Sequence, residues 1–322
     1  MALSEFQLIQ RYFSDISLDA NHVVLGVGDD CAVLEPTVDC CTTLSIDTLV
    51  SGVHFPADAA PFDIAQRALA VNLSDIAAMG AKPSWFLLAI TLPEVDEYWL
   101  QQFSNGLRSI AQQYHCPLVG GDTTRGPLSI TIQVGGTAKK NQLLTRHGAK
   151  VGNEVYITGI VGDGAAALQL IQKKISVKDQ VAANYLYERF YSPTPRIAVG
   201  SLLAGIATAA IDVSDGLAAD VNHIAEKSAV GITLEIDKLP YSPAMKALFS
   251  AEQCRNFAVA GGDDYELCFT LPTNCLYLIE KIQQQTGVPI TKIGTVTAGS
   301  GLTCVDQHGS VIELQSLGYQ HF

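Results

Sequence analysis

The stretch Asn72-Leu73-Ser74-Asp75-Ile76-Ala77-Ala78-Met79-Gly80-Ala81-Lys82-Pro83 decides how the rest of the chain is read. Ala68, Leu69, Val71, Ile76, Ala77 and Met79 recur at helical spacing, and Gly80 followed by Pro83 marks a stop. The pattern predicts a mostly buried helix over Phe62–Met79 that carries one acid, Asp75. A buried carboxylate is costly without a partner. Within seven residues the one cation is Lys82, which lies beyond the stop. The partner of Asp75 therefore comes from elsewhere in the fold, or is a metal ion.

The same oddity recurs along the chain. Asp stands beside Gly or just after an apolar run in Val27-Gly28-Asp29-Asp30, Leu44-Ser45-Ile46-Asp47-Thr48, Val119-Gly120-Gly121-Asp122-Thr123, Ile211-Asp212-Val213-Ser214-Asp215-Gly216 and Ala260-Gly261-Gly262-Asp263-Asp264. One such acid reads as a turn or helix-cap residue. Repetition favours a shared site at strand ends, the usual place for α/β enzyme chemistry.

Working outward, Thr42–Ile46, Trp85–Leu92 and Leu128–Val134 read as strands, and Tyr98–Tyr114 as a second long helix. Polar, glycine-containing Thr145–Asn153 marks a boundary, giving domains 1–148 and 149–322. Beyond it, Val155–Ile160, Ala210–Asp212, Thr233–Ile236, Tyr265–Leu271, Ile290–Val296 and the Val311-Ile312 region read as strands. Ala165–Lys173, Ala198–Ala209 and Leu217–Ser228 read as helices. The fold class is α/β in two units whose Ile-Asp and Gly-Asp pairs echo one another.

Composition narrows the function. A chain of 322 residues with 48% hydrophobic content is ample for two cores. A net charge of −12 argues against nucleic acid as a partner, since phosphates are neutralised by Lys and Arg. The first residues carry no basic and apolar leader pattern. The longest uncharged run, Ile197–Ile211, is too short for a bilayer span. Eight cysteines without a C-x-x-C pair read as reduced thiols, so the expectation is a cytoplasmic protein with neither membrane nor zinc site.

Converging acids either take up protons or bind cations, because two carboxylates about 4 Å apart repel by roughly 4 kcal/mol at an effective dielectric of 20. All-oxygen ligands select hard ions, and Mg²⁺ that keeps its waters typically serves phosphate substrates. Backbone N–H groups for phosphate are offered by Gly120-Gly121, by Ser214 with Gly216, and by Gly162-Asp163-Gly164. The last is equally readable as a close-packing turn. Arg146 offers a charge for a transferred phosphoryl group. There is no Walker loop, no dinucleotide fingerprint and no nucleophile elbow. Metal-assisted phosphoryl transfer by positioning fits these residues.

In order along the chain, Gly28-Asp29-Asp30, Ser45-Ile46-Asp47-Thr48, Gly52-Val53-His54-Phe55, the Asn72–Ala81 stretch, Gly120-Gly121-Asp122-Thr123, Asp212-Val213-Ser214-Asp215-Gly216 and Gly261-Gly262-Asp263-Asp264-Tyr265-Glu266-Leu267 resemble the motif series of the thiamine-monophosphate kinase family. The resemblance implies transfer of the ATP γ-phosphate to thiamine monophosphate, the last step to thiamine diphosphate. It implies the two-domain fold of the aminoimidazole ribonucleotide synthetase superfamily, with N-terminal sheets of two subunits forming a barrel-like homodimer core. It places Mg²⁺ ligands on Asp30, Ser45, Ile46 (through its backbone), Asp47, Asp75, Asp122, Asp212 and Asp215. ATP contacts fall on Gly121, Asp122, Arg146 and Ser214, and acceptor contacts on His54, Asp263 and Tyr319. Asp30, Asp75, Asp122, Asp212 and Arg146 are the residues implied to carry the chemistry. The competing expectations are another ATP-using synthetase of the superfamily and a non-catalytic ATP–Mg²⁺-binding regulator.

Overall fold

The structure, a computed structural model, describes residues 5–16, 22–27, 31–314 and 316–319. It divides into two compact units, Met1–Ile76 with Ala81–Lys140, and Ala77–Gly80 with Asn141–Phe322. Thr145–Asn153, where the sequence expects the division, sits in the second unit.

The first unit holds α1 (Glu5–Tyr12), β1 (Val23–Leu25), β2 (Val33–Leu34), β3 (Cys40–Val50), most of α2 (Pro61–Ala78), β4 (Lys82–Leu92), α3 (Glu97–Gln113), β5 (Leu118–Arg125) and β6 (Ser129–Lys139). Helix α2 is the predicted one. Pro61 opens it at a position where no N–H is missed. Ala65, Ala68, Leu69, Leu73 and Ile76 are buried. It closes as foreseen at Gly80, whose φ of +66° suits glycine. There the Gly80 N–H donates to Ala77 O (3.0 Å) and the Ala81 N–H to Ile76 O (3.0 Å), the paired bonds of a Schellman stop.

The main sheet of this unit runs β3-β6-β4-β5, antiparallel except for the parallel β4–β5 pair. Side chains alternate across a strand. Phe86, Leu88, Ile90, Ile130, Ile132 and Val134 fill one face. On the other, Leu44 and Ile46 remain 60% and 62% exposed.

The second unit holds β7 (Glu154–Thr158), α4 (Asp163–Ile171), α5 (Gln180–Tyr191), α6 (Ile197–Leu203), β8 (Ala209–Asp212), α7 (Leu217–Ser228), β9 (Gly231–Glu235), α8 (Pro243–Leu248), α9 (Ala251–Ala260), β10 (Leu267–Leu271), α10 (Tyr277–Thr286), β11 (Ile290–Thr297) and β12 (Gly301–Val305). Its sheet runs β12-β9-β11-β7-β10-β8 and is antiparallel except for β12–β9. Both faces are buried. Ile157, Ile211, Val213, Leu217 and Ile224 share one core, and Tyr156, Ala210, Leu267, Phe269 and Leu203 the other.

Four local expectations change. Asp47 does not end a strand: β3 runs on to Val50, paired along its length with β6. Likewise Gly120-Gly121-Asp122-Thr123 lies inside β5, in register with Leu87–Ile90 of β4. In both places ladder pairing outweighs the local turn preference of Gly and Asp. The apolar run before Asp263 is helix α9, because Ser250 and Gln253 form a reciprocal capping box that starts it. Val311 contributes a single bridge to Val305, and β12 takes the sheet edge instead.

Candidate active site

In the first unit, Asp75 finds its partner on β3. The Ser45 hydroxyl donates to Asp75 Oδ2 at 2.5 Å. Ser45 and Asp47 share the face of β3 that turns toward α2, since strand residues two apart point the same way. One helical turn before Asp75, the Asn72 amide donates to Ala68 O (2.9 Å), while its buried Oδ1 has no hydrogen-bond partner among the described residues. His54 lies in the turn after β3, where its Nδ1 accepts the Val50 N–H at 3.0 Å, which leaves the ring proton on Nε2. Its carbonyl accepts from the buried Arg67 (3.3 Å).

Gly121 and Asp122 are placed differently. Asp122 pairs with Ala89 in the row of Thr131 and Thr48, on the open face of the sheet. Asp47 stands in the row of Ile132 and Leu88, on the covered face. Three strand spacings of about 4.8 Å separate β3 from β5, roughly 14 Å. Within one chain, then, Asp122 does not join Asp47 and Asp75. Ile46 also looks out from the open face, and Asp30 lies outside the described residues.

In the second unit the ladder of β8 and β10 runs on past its ends. Val213 N–H donates to Glu266 O (2.8 Å), Tyr265 N–H to Val213 O (2.8 Å) and Asp263 N–H to Ser214 O (2.9 Å). The Tyr319 N–H donates to Asp215 O at 2.9 Å. Ser214, Asp215, Asp263 and Tyr319 therefore gather in one loop cluster at the end of β8, whose last residue is the buried Asp212. The approach is close: a Cβ on Gly262 would strike Ser214 O. Asp263 and Tyr265 have φ of +69° and +52°, the left-handed region that non-glycine residues seldom occupy. The Tyr265 hydroxyl donates back to Asp263 Oδ1 (3.1 Å).

Arg146 is not in this cluster. Its carbonyl accepts from Ser228 Oγ (3.1 Å) at the C-terminal end of α7. The loop cluster meets the N-terminal end, and a helix of 12 residues spans about 17 Å.

Two of the expected phosphate cradles are already filled from within. The N–H groups of Ser214, Asp215 and Gly216 all point at Asp220 Oδ2 (3.1, 3.2 and 3.2 Å). Those of Gly162 and Gly164 donate to Asp264 (2.7 and 3.2 Å). Such turns attract anions, and here the anion is the chain's own carboxylate. The Gly162-Asp163-Gly164 turn is thus a packing turn. Burial, with the charge of Asp215 nearby, pushes the Asp220 carboxyl up to about 7 against the pull of the three N–H groups. Burial also holds Asp264 well above the ordinary carboxylate range, against the pull of its two N–H donors.

Behind this lies a buried polar network that sequence reading missed. Glu266 accepts from Arg196 (2.6 and 2.5 Å), from Arg189 (3.0 Å) and from Thr158 (2.7 Å). Asp163, one residue from each glycine that binds Asp264, accepts from Ser242 (2.5 Å). The signal was present as Asp264 and Glu266 alternating with aromatic and apolar neighbours. Their cations, Arg189 and Arg196, stand some 70 residues away along the chain and leave no local trace.

Among the described residues no three His, Cys, Asp or Glu side chains group as a metal cage. No described helix is long and apolar enough to cross a membrane. Of the cysteines, Cys116, Cys254, Cys268 and Cys304 are buried and Cys31 is exposed, all as free thiols.

Residues 28–139 match the family described as AIR synthase related protein, N-terminal domain, and residues 150–307 the C-terminal domain of the same description. Thiamine-monophosphate kinase of Escherichia coli (strain K12) is 45% identical over 322 residues, covering 100% of this chain and 99% of its own. The crystal structure of thiamine-monophosphate kinase from Stenotrophomonas maltophilia K279a is similar at a TM-score of 0.88 and 40% identity, covering 97% of this chain and 99% of that one. A structure described as AaThiL complexed with AMPPCP and TMP is similar at a TM-score of 0.77 and 29% identity, covering 100% and 99%. With full-length identity at this level and both domain families matched, the chain belongs to the thiamine-monophosphate kinase family.

Proposed function

We infer that this chain catalyses phosphorylation of thiamine monophosphate by ATP, giving thiamine diphosphate and ADP. The observation that carries the reading is the full-length match to curated kinases of that name. The acceptor is itself a phosphate and already an anion at neutral pH, so no base need remove a proton. An acceptor oxygen attacks the γ-phosphorus in line, a new P–O–P bond forms, and the bond to ADP breaks. The difficulty is repulsion between two anions beside a chain of net charge −12.

Cations answer that difficulty, and Mg²⁺ suits the donors. Ser45, Asp47 and Asp75 present oxygen only, and Asn72 adds a buried amide oxygen without a partner. Mg²⁺ typically takes one or two carboxylates plus substrate phosphates, so a pair of acids meets its needs without a cage. In our reading Asp30, Ser45, the Ile46 backbone, Asp47, Asp75, Asp122, Asp212 and Asp215 hold Mg²⁺, which when bound neutralises phosphate charge. Gly121, Asp122, Arg146 and Ser214 hold ATP, and His54, Asp263 and Tyr319 orient the acceptor. The N-terminal domain carries dimerisation through the open face of its sheet, where Leu44 and Ile46 stand exposed. A second copy there would cover that apolar surface and bring a second set of open-face residues against Asp122.

The test is product formation from ATP, Mg²⁺ and thiamine monophosphate, with free thiamine as a parallel acceptor. Thiamine diphosphate from the monophosphate alone is expected, and no label on the protein when γ-labelled ATP is given without acceptor. ATP bound without product would overturn the kinase reading, and a labelled protein the in-line step.

A further inference from the structure

We propose that Asp264, anchored through the Glu266–Arg189–Arg196 network, is a positioning residue that sets the acceptor-facing loop 261–266 against Ser214 and Asp215. The proposal rests on the function inferred above and goes beyond it, because Asp264 faces away from the cluster that would touch substrate.

The geometry makes the case. The Asp264 and Glu266 carboxyls turn to the buried side, onto Gly162, Gly164 and the two arginines, while the Asp263 carboxylate accepts from the Tyr265 hydroxyl and is half-buried. Asp264 accepts from Gly162 and Gly164 at the start of α4 and is 2% exposed. Glu266 is fully buried among two guanidiniums and the Thr158 hydroxyl. On the other side, Asp263 carries a strained backbone with φ of +69° and hydrogen-bonds Ser214 through its N–H. Left-handed backbone at non-glycine residues persists only where surroundings over-determine it. The surroundings that do so here are the two glycine N–H groups on Asp264 and the arginine forks on Glu266. Arg189 also reaches the Asp264 carbonyl at 3.5 Å, tying both acids to one helix. Two buried carboxyls, Asp163 and Glu266, meet the guanidiniums of Arg189 and Arg196, and the Asp264 carboxyl beside them is held by glycine N–H groups.

Asp264→Asn tests the idea in the full chain. The amide keeps the size but turns an NH₂ toward one of the two glycine N–H groups, so the loop should shift while the cores stay intact. The KM for thiamine monophosphate should rise on the order of tenfold or more, as small misplacements do, while the KM for ATP changes little and Tm stays near wild type. Arg196→Lys is the second variant. It keeps the charge but loses the two-bond fork to Glu266, and a smaller rise in the same KM is expected. Wild-type turnover with acceptor KM unchanged in both variants, whatever their Tm, overturns the positioning role alone. A wild-type chain that neither binds nor converts thiamine monophosphate overturns the inferred function, and this role with it.

Discussion

The two units hold their candidate acids in opposite ways. In the first, Asp75 accepts from the Ser45 hydroxyl, and Gly121 and Asp122 lie exposed on an open strand. In the second, the Ser214-Asp215-Gly216 turn is pinned by three N–H bonds to Asp220, and the loop bearing Asp263 by two to Asp264. One half is arranged by the chain itself before anything binds. The other meets Asp75 with a side-chain hydroxyl and sets Asp122 on an exposed strand, and Mg²⁺ typically binds through one or two carboxylates together with substrate phosphates.

The contrast is broken most severely at Asp75. Asp75→Asn keeps the helix and the Ser45 contact but removes the charge. Turnover should fall on the order of a hundredfold or more, the scale of losing one electrostatic partner of a transferring group. Tm without ligand should stay close to wild type, because Asp75 sits on a core that Leu73 and Ile76 already fill. Measured kcat at limiting and saturating Mg²⁺ checks this. Near-normal turnover at limiting Mg²⁺ would remove Asp75 from the centre of the site.

A milder break is available in the pinned half. Gly262→Ala sets a methyl against Ser214 O, so the two loops must part. Overpacking of this kind costs about 1–3 kcal/mol, and here stability and acceptor KM should worsen together. This distinguishes it from Asp75→Asn, where activity falls alone. A Gly262→Ala variant with normal Tm and normal KM would mean that the loops are not coupled as the Asp263–Ser214 bond suggests.

The same contrast explains what could be read from sequence. Helix α2 and its stop were legible because both signals are local: a 3.6-residue apolar repeat, then glycine at a left-handed position. The Asp215–Tyr319 and Asp263–Ser214 contacts were not, because each joins residues far apart in the chain. The strand ends failed at Asp47 and Asp122, where local turn chemistry competed with a neighbouring strand that the sequence does not display. The turns at Ser214 and Gly162 were recognised as anion-binding, but their occupant is an aspartate of the same chain. In Asp220 it lies four residues beyond Gly216, in Asp264 about a hundred residues beyond Gly162. A glycine turn announces that an anion will sit there and does not say whose.

That ambiguity can be sharpened at the buried network through pH. Asp163 is fully buried in the first turn of α4, accepts from Ser242, and lies 3.9 Å from Arg189. Burial pushes its carboxyl up, more than Ser242 and Arg189 pull it down. A carboxyl raised on folding holds its proton to higher pH in the folded chain than in the unfolded one. Its stabilising contribution is therefore complete below the ordinary carboxylate value of about 4 and is lost as pH rises through the raised value. Asp163→Asn keeps the acceptor for Ser242 and has no proton to lose. The difference in Tm, variant minus wild type, should climb as pH rises from about 4 and level off once Asp163 is ionised. A flat or falling difference would mean that Arg189 holds Asp163 ionised throughout, and that the network behind the acceptor loop is a settled ion pair, not a strained one.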